Sequence, residues 1–180
     1  MKLIILDRDG VINEDSDQYI KSVDEWIPIP GSIEAISKLS KNNYKVIIIT
    51  NQSGISRGFY EHKTLAAMHN KMCKLVTQFN GVINAIFYCP HGPADNCNCR
   101  KPKAGLFKRV EQVFNVSLEN VYCIGDSYRD ILAAKQCKGK PILVKTGKGE
   151  LTLKEQKKNI NFPVYKNLAQ AVDAILSNHV

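Results

Sequence analysis

Five short runs rich in β-branched and aliphatic residues, 2–6, 45–50, 83–88, 121–124 and 141–144, alternate with segments whose apolar residues recur at helical spacing. This alternation constrains the fold more than any other feature of the chain. Runs this brief are too short for helices and apolar enough for strands buried on both faces, as in a parallel sheet. Between and after them, Ile33, Ile36 and Leu39 form one apolar stripe, and Leu65, Met68, Met72 and Phe79 a second. Leu106, Val110 and Val113 form a third, and Leu168, Ala171, Val172 and Ile175 a fourth. Parallel strands need crossover connections, and right-handed helical crossovers give an α/β, doubly wound, three-layer Rossmann-like parallel sheet. Pro30-Gly31 marks the entry to the first helix, and the stretch from Pro90 to Pro102 is the one long, irregular, polar insertion.

The chain's 180 residues suffice to bury most of a domain's apolar surface. No linker, repeat or low-complexity tract divides it, so residues 1–180 are expected to form a single domain. Its longest apolar stretches, such as 46–49, fall far short of the roughly 20 residues of a membrane span. The apolar run before Asp7 is also too short for a signal peptide. A cytoplasmic protein without membrane association follows, and its six cysteines are then thiols and metal ligands rather than disulfides. The net charge of +8 favours anionic partners, without separating a phosphorylated metabolite from nucleic acid. Lys154, Lys157 and Lys158 read as a solvated face.

In a doubly wound sheet the ligand site lies at the carboxyl ends of the strands, near the point where strand order reverses. Asp7 and Asp9 follow the first run, Thr50-Asn51-Gln52-Ser53 end the second, and Gly125-Asp126-Ser127 follow the fourth. Neither a Walker-type loop nor a G-x-G-x-x-G is present, so nucleotide binding by those loops is unsupported. An aspartate is ionised at neutral pH without a helper base, since its unperturbed pKa is about 3.9, and Asp7 can attack phosphorus directly. A phosphate ester is itself an anion, so a cation must stand between them; Mg²⁺, with hard oxygen ligands and room for phosphate, suits the place. Asp126, brought beside Asp7 by the sheet, completes that site. Asp9 is left to protonate the leaving oxygen and then activate water, which requires a protonated carboxyl when substrate is bound. A neighbouring ionised carboxylate would promote that proton uptake. Thr50, Asn51, Arg100 and Lys101 are candidates to stabilise the transferring phosphoryl oxygens.

Asp7-Arg8-Asp9-Gly10-Val11, Thr50-Asn51-Gln52-Ser53-Gly54, Arg100-Lys101-Pro102 and Gly125-Asp126-Ser127-x-x-Asp130 resemble the four motifs of the haloacid dehalogenase superfamily of phosphatases. The match spans residues 3 to about 149. The resemblance implies that Asp7 is the nucleophile and that Asp9 is the acid/base and lends its backbone carbonyl to Mg²⁺. It further implies that Asp126 is a metal ligand and that Thr50 and Lys101 contact the phosphoryl group, with Arg100 beside them.

Cys89, His91, Cys97 and Cys99 supply four ligands within eleven residues. A Cys₃His set closes a tetrahedron around Zn²⁺ with no open position, so the site is expected to be structural and to aim Arg100 and Lys101. Cys73, Cys123 and Cys137 read as ordinary buried thiols, and His62, His69 and His179 as surface or core residues. A zinc loop over about 89–102, ending in Cys-Arg-Lys-Pro, narrows the resemblance to small phosphatases without a large cap domain. One group removes the 7-phosphate of a heptose 1,7-bisphosphate for bacterial surface glycans; another acts on histidinol phosphate. The resemblance also implies that Asp15, Ser16 and Tyr19 lie on a substrate loop and Arg57 near a distal phosphate, with Asn51, Gln52, Ser53 and Ser127 facing substrate. A monomer acting on a small phosphorylated sugar, with no nucleic acid, is the expectation. The competing class is a zinc-bearing nucleic-acid binding module, which lacks the clustered aromatic and basic face such modules use.

Overall fold

The computed structural model describes residues 1–180. The strands β1 (Lys2–Leu6), β2 (Tyr44–Asn51), β3 (Ile83–Cys89), β4 (Tyr122–Gly125), β5 (Lys140–Val144) and β6 (Val164–Tyr165) form one sheet in the order β3-β2-β1-β4-β5-β6. Every pairing is parallel. The helices are α1 (Ser32–Lys41), α2 (His62–Gln78), α3 (Gly105–Phe114), α4 (Tyr128–Gln136), α5 (Gly149–Glu155) and α6 (Leu168–Leu176), and a single 3₁₀ turn covers Pro93–Asp95. The expected architecture is therefore the one observed. β6 and α5 are additions: β6 has two residues, too few for an alternation pattern, and α5 has seven, with only Gly149 and Thr152 buried.

Because side chains alternate across a strand, β1 serves two cores. Ile4 and Leu6 point with Val46 and Ile48 into the layer made by α1, α2 and α6, where Ile36, Leu39, Met68, Met72 and Val172 are fully buried. Leu3 and Ile5 point with Ile47 and Ile49 to the opposite layer, against Phe107 and Val110 of α3 and Ala133 and Ala134 of α4. Two expected core residues are instead exposed, Phe79 at 44% and Val113 at 51%. Phe79 is the C-cap of α2, past the last turn that packs on the sheet, and Val113 lies near the end of α3.

The strand order runs outward in both directions from the β1/β4 pair, so the topological switch point lies between their carboxyl ends. The register sets Leu6 opposite Ile124. Asp7 and Asp126 thus leave neighbouring strand tips.

Candidate active site

Asp7 remains tied to the sheet, its N–H donating to the Ile124 carbonyl at 2.9 Å. Asp126 sits two residues past that carbonyl. Gly10 and Gly147, at φ 80° and 56°, press on it from two sides, and a Cβ on either would collide with Asp126 Oδ2. That oxygen accepts from the Lys148 N–H at 2.8 Å, while Asp126 Oδ1 is buried without a partner. Asp130 joins them from the first turn of α4: Ser127 N and Oγ donate to its Oδ2 at 3.0 and 2.8 Å, closing a capping box. Asp7, Asp126 and Asp130 each offer one oxygen within 4.8 Å of the others.

One buried lysine contacts two of these carboxylates. Lys101 Nζ lies 3.0 Å from Asp7 Oδ1 and 2.7 Å from Asp130 Oδ1, and donates to the Ile49 carbonyl at 2.8 Å. Burial, followed by Asp130 and Asp7, pushes Asp126 well above the usual carboxylate range. Burial also raises Asp7 to about 6, against the pull of Lys101. Asp130 escapes: burial would raise it, but Lys101 and Arg129 bring it below its ordinary value. An orphaned buried oxygen in a dry cluster with surplus negative charge fits a hard divalent cation such as Mg²⁺.

The two carboxylates expected at the cation, Asp7 and Asp126, do meet, and Asp130, the last residue of the fourth motif, adds a third carboxylate beside them. The Asp9 side chain turns away, leaving only its backbone carbonyl for the role the resemblance implies. Asp9 Oδ1 accepts from Arg8 Nε at 3.0 Å, Arg8 Nη2 at 2.8 Å and Asn13 Nδ2 at 2.8 Å. Its Oδ2 accepts from Arg8 Nη2 at 2.9 Å and Gln52 Nε2 at 2.8 Å. Burial alone would raise Asp9, but Arg8's charge and these donors hold it below its usual range. Without substrate Asp9 is therefore held as a carboxylate by its adjacent charge, Arg8; the proton-bearing form expected of it belongs to the substrate-bound state.

A pocket of about 150 Å³ opens over these groups, lined by Asp7, Asp9, Asp15, Ser16, Tyr19, Thr50, Asn51, Gln52, Ser53 and Arg100 among the expected residues. Arg129 and Lys148 also line it and were not expected; neither carried a signal beyond its place beside a motif. Asn51 faces the pocket edge while its amide brackets the Lys101 backbone, accepting from Lys101 N and donating to Lys101 O, both at 3.1 Å. Ser127 does not line the pocket, and its hydroxyl donates to Asp130 Oδ2. Arg57 is exposed on the rim, its guanidinium carbon 5.8 Å from the Tyr19 ring centroid.

The loop after β3 brings Cys89, His91, Cys97 and Cys99 together. Their sulfur atoms lie 3.2 to 3.6 Å apart, and His91 Nδ1 is 3.2 Å from Cys99 Sγ and 3.6 Å from Cys89 Sγ. Two thiolates about 2.3 Å from one Zn²⁺ at a tetrahedral angle are roughly 3.7 Å apart, so the donor set fits that ion. Arg100 Nη1 donates to the His91 carbonyl at 3.1 Å, which ties the loop to the pocket wall.

The family described as polynucleotide kinase 3 phosphatase matches residues 2–170. The chain belongs to the polynucleotide kinase 3 phosphatase family. Within this family setting, it is 53% identical over 155 residues to D-glycero-beta-D-manno-heptose-1,7-bisphosphate 7-phosphatase of Pseudomonas putida, covering 86% of this chain and 89% of that one. A crystal structure of D,D-heptose 1,7-bisphosphate phosphatase from Bordetella bronchiseptica, complexed with magnesium and phosphate, superposes with a TM-score of 0.96 at 46% identity over 99% of both chains. A haloacid dehalogenase-like hydrolase from Streptococcus pneumoniae shares the fold at a TM-score of 0.65 and 12% identity, covering 97% of this chain and 98% of that one. The likeness in fold thus extends over the sheet and both helical layers.

Proposed function

We propose that this protein is a Mg²⁺-dependent phosphoric monoester hydrolase that removes the 7-phosphate of D-glycero-D-manno-heptose 1,7-bisphosphate, in nucleotide-heptose synthesis for bacterial surface glycans. The observation that carries the reading is the meeting of Asp7, Asp126 and Asp130 around one buried lysine beneath a polar pocket. The names of its relatives point to the heptose substrate.

Asp7 Oδ1 is engaged by the Arg8 N–H at 2.7 Å and by Lys101. Its other oxygen, Oδ2, makes no hydrogen bond and is the nucleophile. As it bonds to phosphorus, the ester P–O bond breaks and its electron pair stays on the sugar oxygen, which takes a proton from Asp9. The phosphate's negative charge, brought beside Asp9, favours that protonation beforehand. A water then attacks the phosphorus of the aspartyl-phosphate and loses a proton to Asp9; Asp7 is regenerated and inorganic phosphate leaves. Thr50 holds a phosphoryl oxygen during both transfers, while Lys101, its three donors given to Asp7, Asp130 and the Ile49 carbonyl, fixes the nucleophile from beneath. Asp7, Asp126 and Asp130 would hold Mg²⁺, which would supply the positive charge that lets an anionic ester approach an anionic nucleophile. Cys89, His91, Cys97 and Cys99 hold a structural Zn²⁺ that keeps Arg100 on the pocket wall.

The test is phosphate release with Mg²⁺ from both anomers of heptose 1,7-bisphosphate, fructose 1,6-bisphosphate and histidinol phosphate, compared by kcat/KM. Preference for a heptose anomer supports the reading; preference for histidinol phosphate overturns the substrate assignment.

A further inference from the structure

Arg8 is among the largest fully buried side chains, at 1% exposure, and it lies between the two aspartates that carry the chemistry. A strand would send neighbouring side chains to opposite faces. Here β1 has already ended at Leu6, and the Arg8 carbonyl accepts from the N–H groups of Ile12 at 2.8 Å and Asn13 at 3.2 Å. That turn lets the Arg8 guanidinium fold back along the Asp9 carboxylate. Nε and Nη2 donate to Oδ1, and Nη2 also reaches Oδ2.

The far side of the guanidinium is anchored as well. Nη2 reaches Gln52 Oε1 at 3.2 Å, and Nη1 lies 3.3 Å from His69 Nε2. An arginine has only donors, so His69 Nε2 accepts, which fixes the tautomer as Nδ1–H. Gln52 Oε1 also accepts from Tyr60 Oη at 2.6 Å, while Gln52 Nε2 donates to Asp9 Oδ2 and to Thr50 Oγ1, each at 2.8 Å. The network therefore runs from the tip of β1 through Gln52 to β2, and through His69 to α2. Only a planar fork can address a carboxylate edge and two further acceptors at once; a lysine ammonium would act as a point charge.

We infer that Arg8 is a positioning residue for the phosphatase reaction, whose buried guanidinium holds the Asp9 carboxylate at the leaving-group side of the pocket and links it to Thr50 through Gln52. The inference rests on the proposed function, in which Asp9 protonates the departing oxygen. Arg8 itself touches no reacting atom.

Leaving-group dependence of kcat/KM tests it, because this constant reports the first phosphoryl transfer. A sugar phosphate expels a poor alkoxide and needs its proton; p-nitrophenyl phosphate expels a stable phenoxide and needs little help. Arg8→Lys, which keeps the charge but loses the fork, should lower kcat/KM for the sugar phosphate by roughly 10- to 100-fold and for the aryl ester by less than about threefold. Competitive inhibition by inorganic phosphate, which reads the phosphoryl cradle alone, should stay within about twofold of the parent enzyme. Arg8→Met should show the same pattern more strongly, and should Arg8→Met fail to fold, Arg8→Lys decides alone. Combining Arg8→Lys with Asp9→Asn should lose no more than Asp9→Asn by itself. Equal losses on both esters in Arg8→Lys, or no loss on either, overturn the inference. If Asp9→Asn itself shows no difference between the esters, it is the proposed role of Asp9 that fails.

Discussion

Lys101 Nζ lies 3.0 Å from Asp7 Oδ1, with the two side chains only 2% and 7% exposed to solvent. Lys101 lies under the floor of the pocket and reaches Asp130 as well, so one ammonium orients a carboxylate at the tip of β1 and another on α4. Burial would lower its pKa, but Asp130 and Asp7 raise it, and it stays charged throughout the neutral range.

Lys101→Met should therefore harm stability as well as catalysis. Removing one member of a buried ion cluster leaves uncompensated charge and costs roughly 3–5 kcal/mol. Calorimetry of the metal-free protein should show a melting temperature lower by about 10 °C. Adding Asp130→Asn, which removes the stranded charge, should recover part of that loss. A melting temperature equal to that of the parent would show that the cluster does not depend on Lys101.

Asp7→Asn should have the opposite balance. Without a bound cation the folded pKa of Asp7, about 6, lies above its ordinary value of 3.8. The group thus contributes stability below pH 3.8 that is lost as pH rises through 6, about 3 kcal/mol by pH 7. Asparagine is never ionised, so the metal-free variant should melt at pH 7 no lower than the parent. Its turnover should fall at least about 10³-fold, and undiminished phosphate release would remove Asp7 as nucleophile.

Magnesium should raise the melting temperature of the parent by mass action, about 2.7 kcal/mol at a hundredfold excess over its dissociation constant. Asp126→Asn should abolish that shift, because Asp126 Oδ1 is the buried oxygen left without a protein partner. Titration calorimetry with Mg²⁺ alone checks it, and an unchanged affinity in the variant would move the cation elsewhere.

His69 supplies a second pH dependence. Burial, then Arg8, depress its pKa from 6.5 to about 4. The neutral ring is favoured in the fold, so its contribution is complete above pH 6.5 and is lost as pH falls toward 4, up to about 3 kcal/mol. Asp7 works against this trend below pH 6, so the difference between the parent and His69→Gln isolates it. That difference in denaturation free energy should shift toward the variant by a few kcal/mol between pH 7 and 4; a constant difference would count against a buried neutral imidazole.

Cys97→Ser should remove one zinc per chain and loosen the loop that carries Arg100. Metal analysis should show the loss, with a melting temperature lower by roughly 5–10 °C if the site contributes 2–3 kcal/mol. KM for the bisphosphate should rise, because Arg100 is held by the His91 carbonyl within the same loop. Full retention of fold and KM without metal would reduce the cluster to four adjacent side chains.

The sequence by itself determined the sheet, because strand-length β-branched runs separated by helical-period stripes leave few other ways to bury Ile4, Ile48, Val110 and Val172. It also placed Asp7, Thr50 and Asp126 at the strand ends beside the switch-point crevice, where polar clusters gather whatever the details of packing. The fold alone decided how those groups face one another. Asp130 meets Asp7 and Asp126 from the first turn of α4, where the Ser127 N–H and hydroxyl both donate to its Oδ2. Arg8 folded back onto its neighbour Asp9, and His69, 61 positions further along the chain, met the guanidinium from behind. Spacing along a chain specifies which side chains reach a strand tip; the direction of a hydrogen bond depends on every neighbour competing for the same atom, and those neighbours meet only in three dimensions.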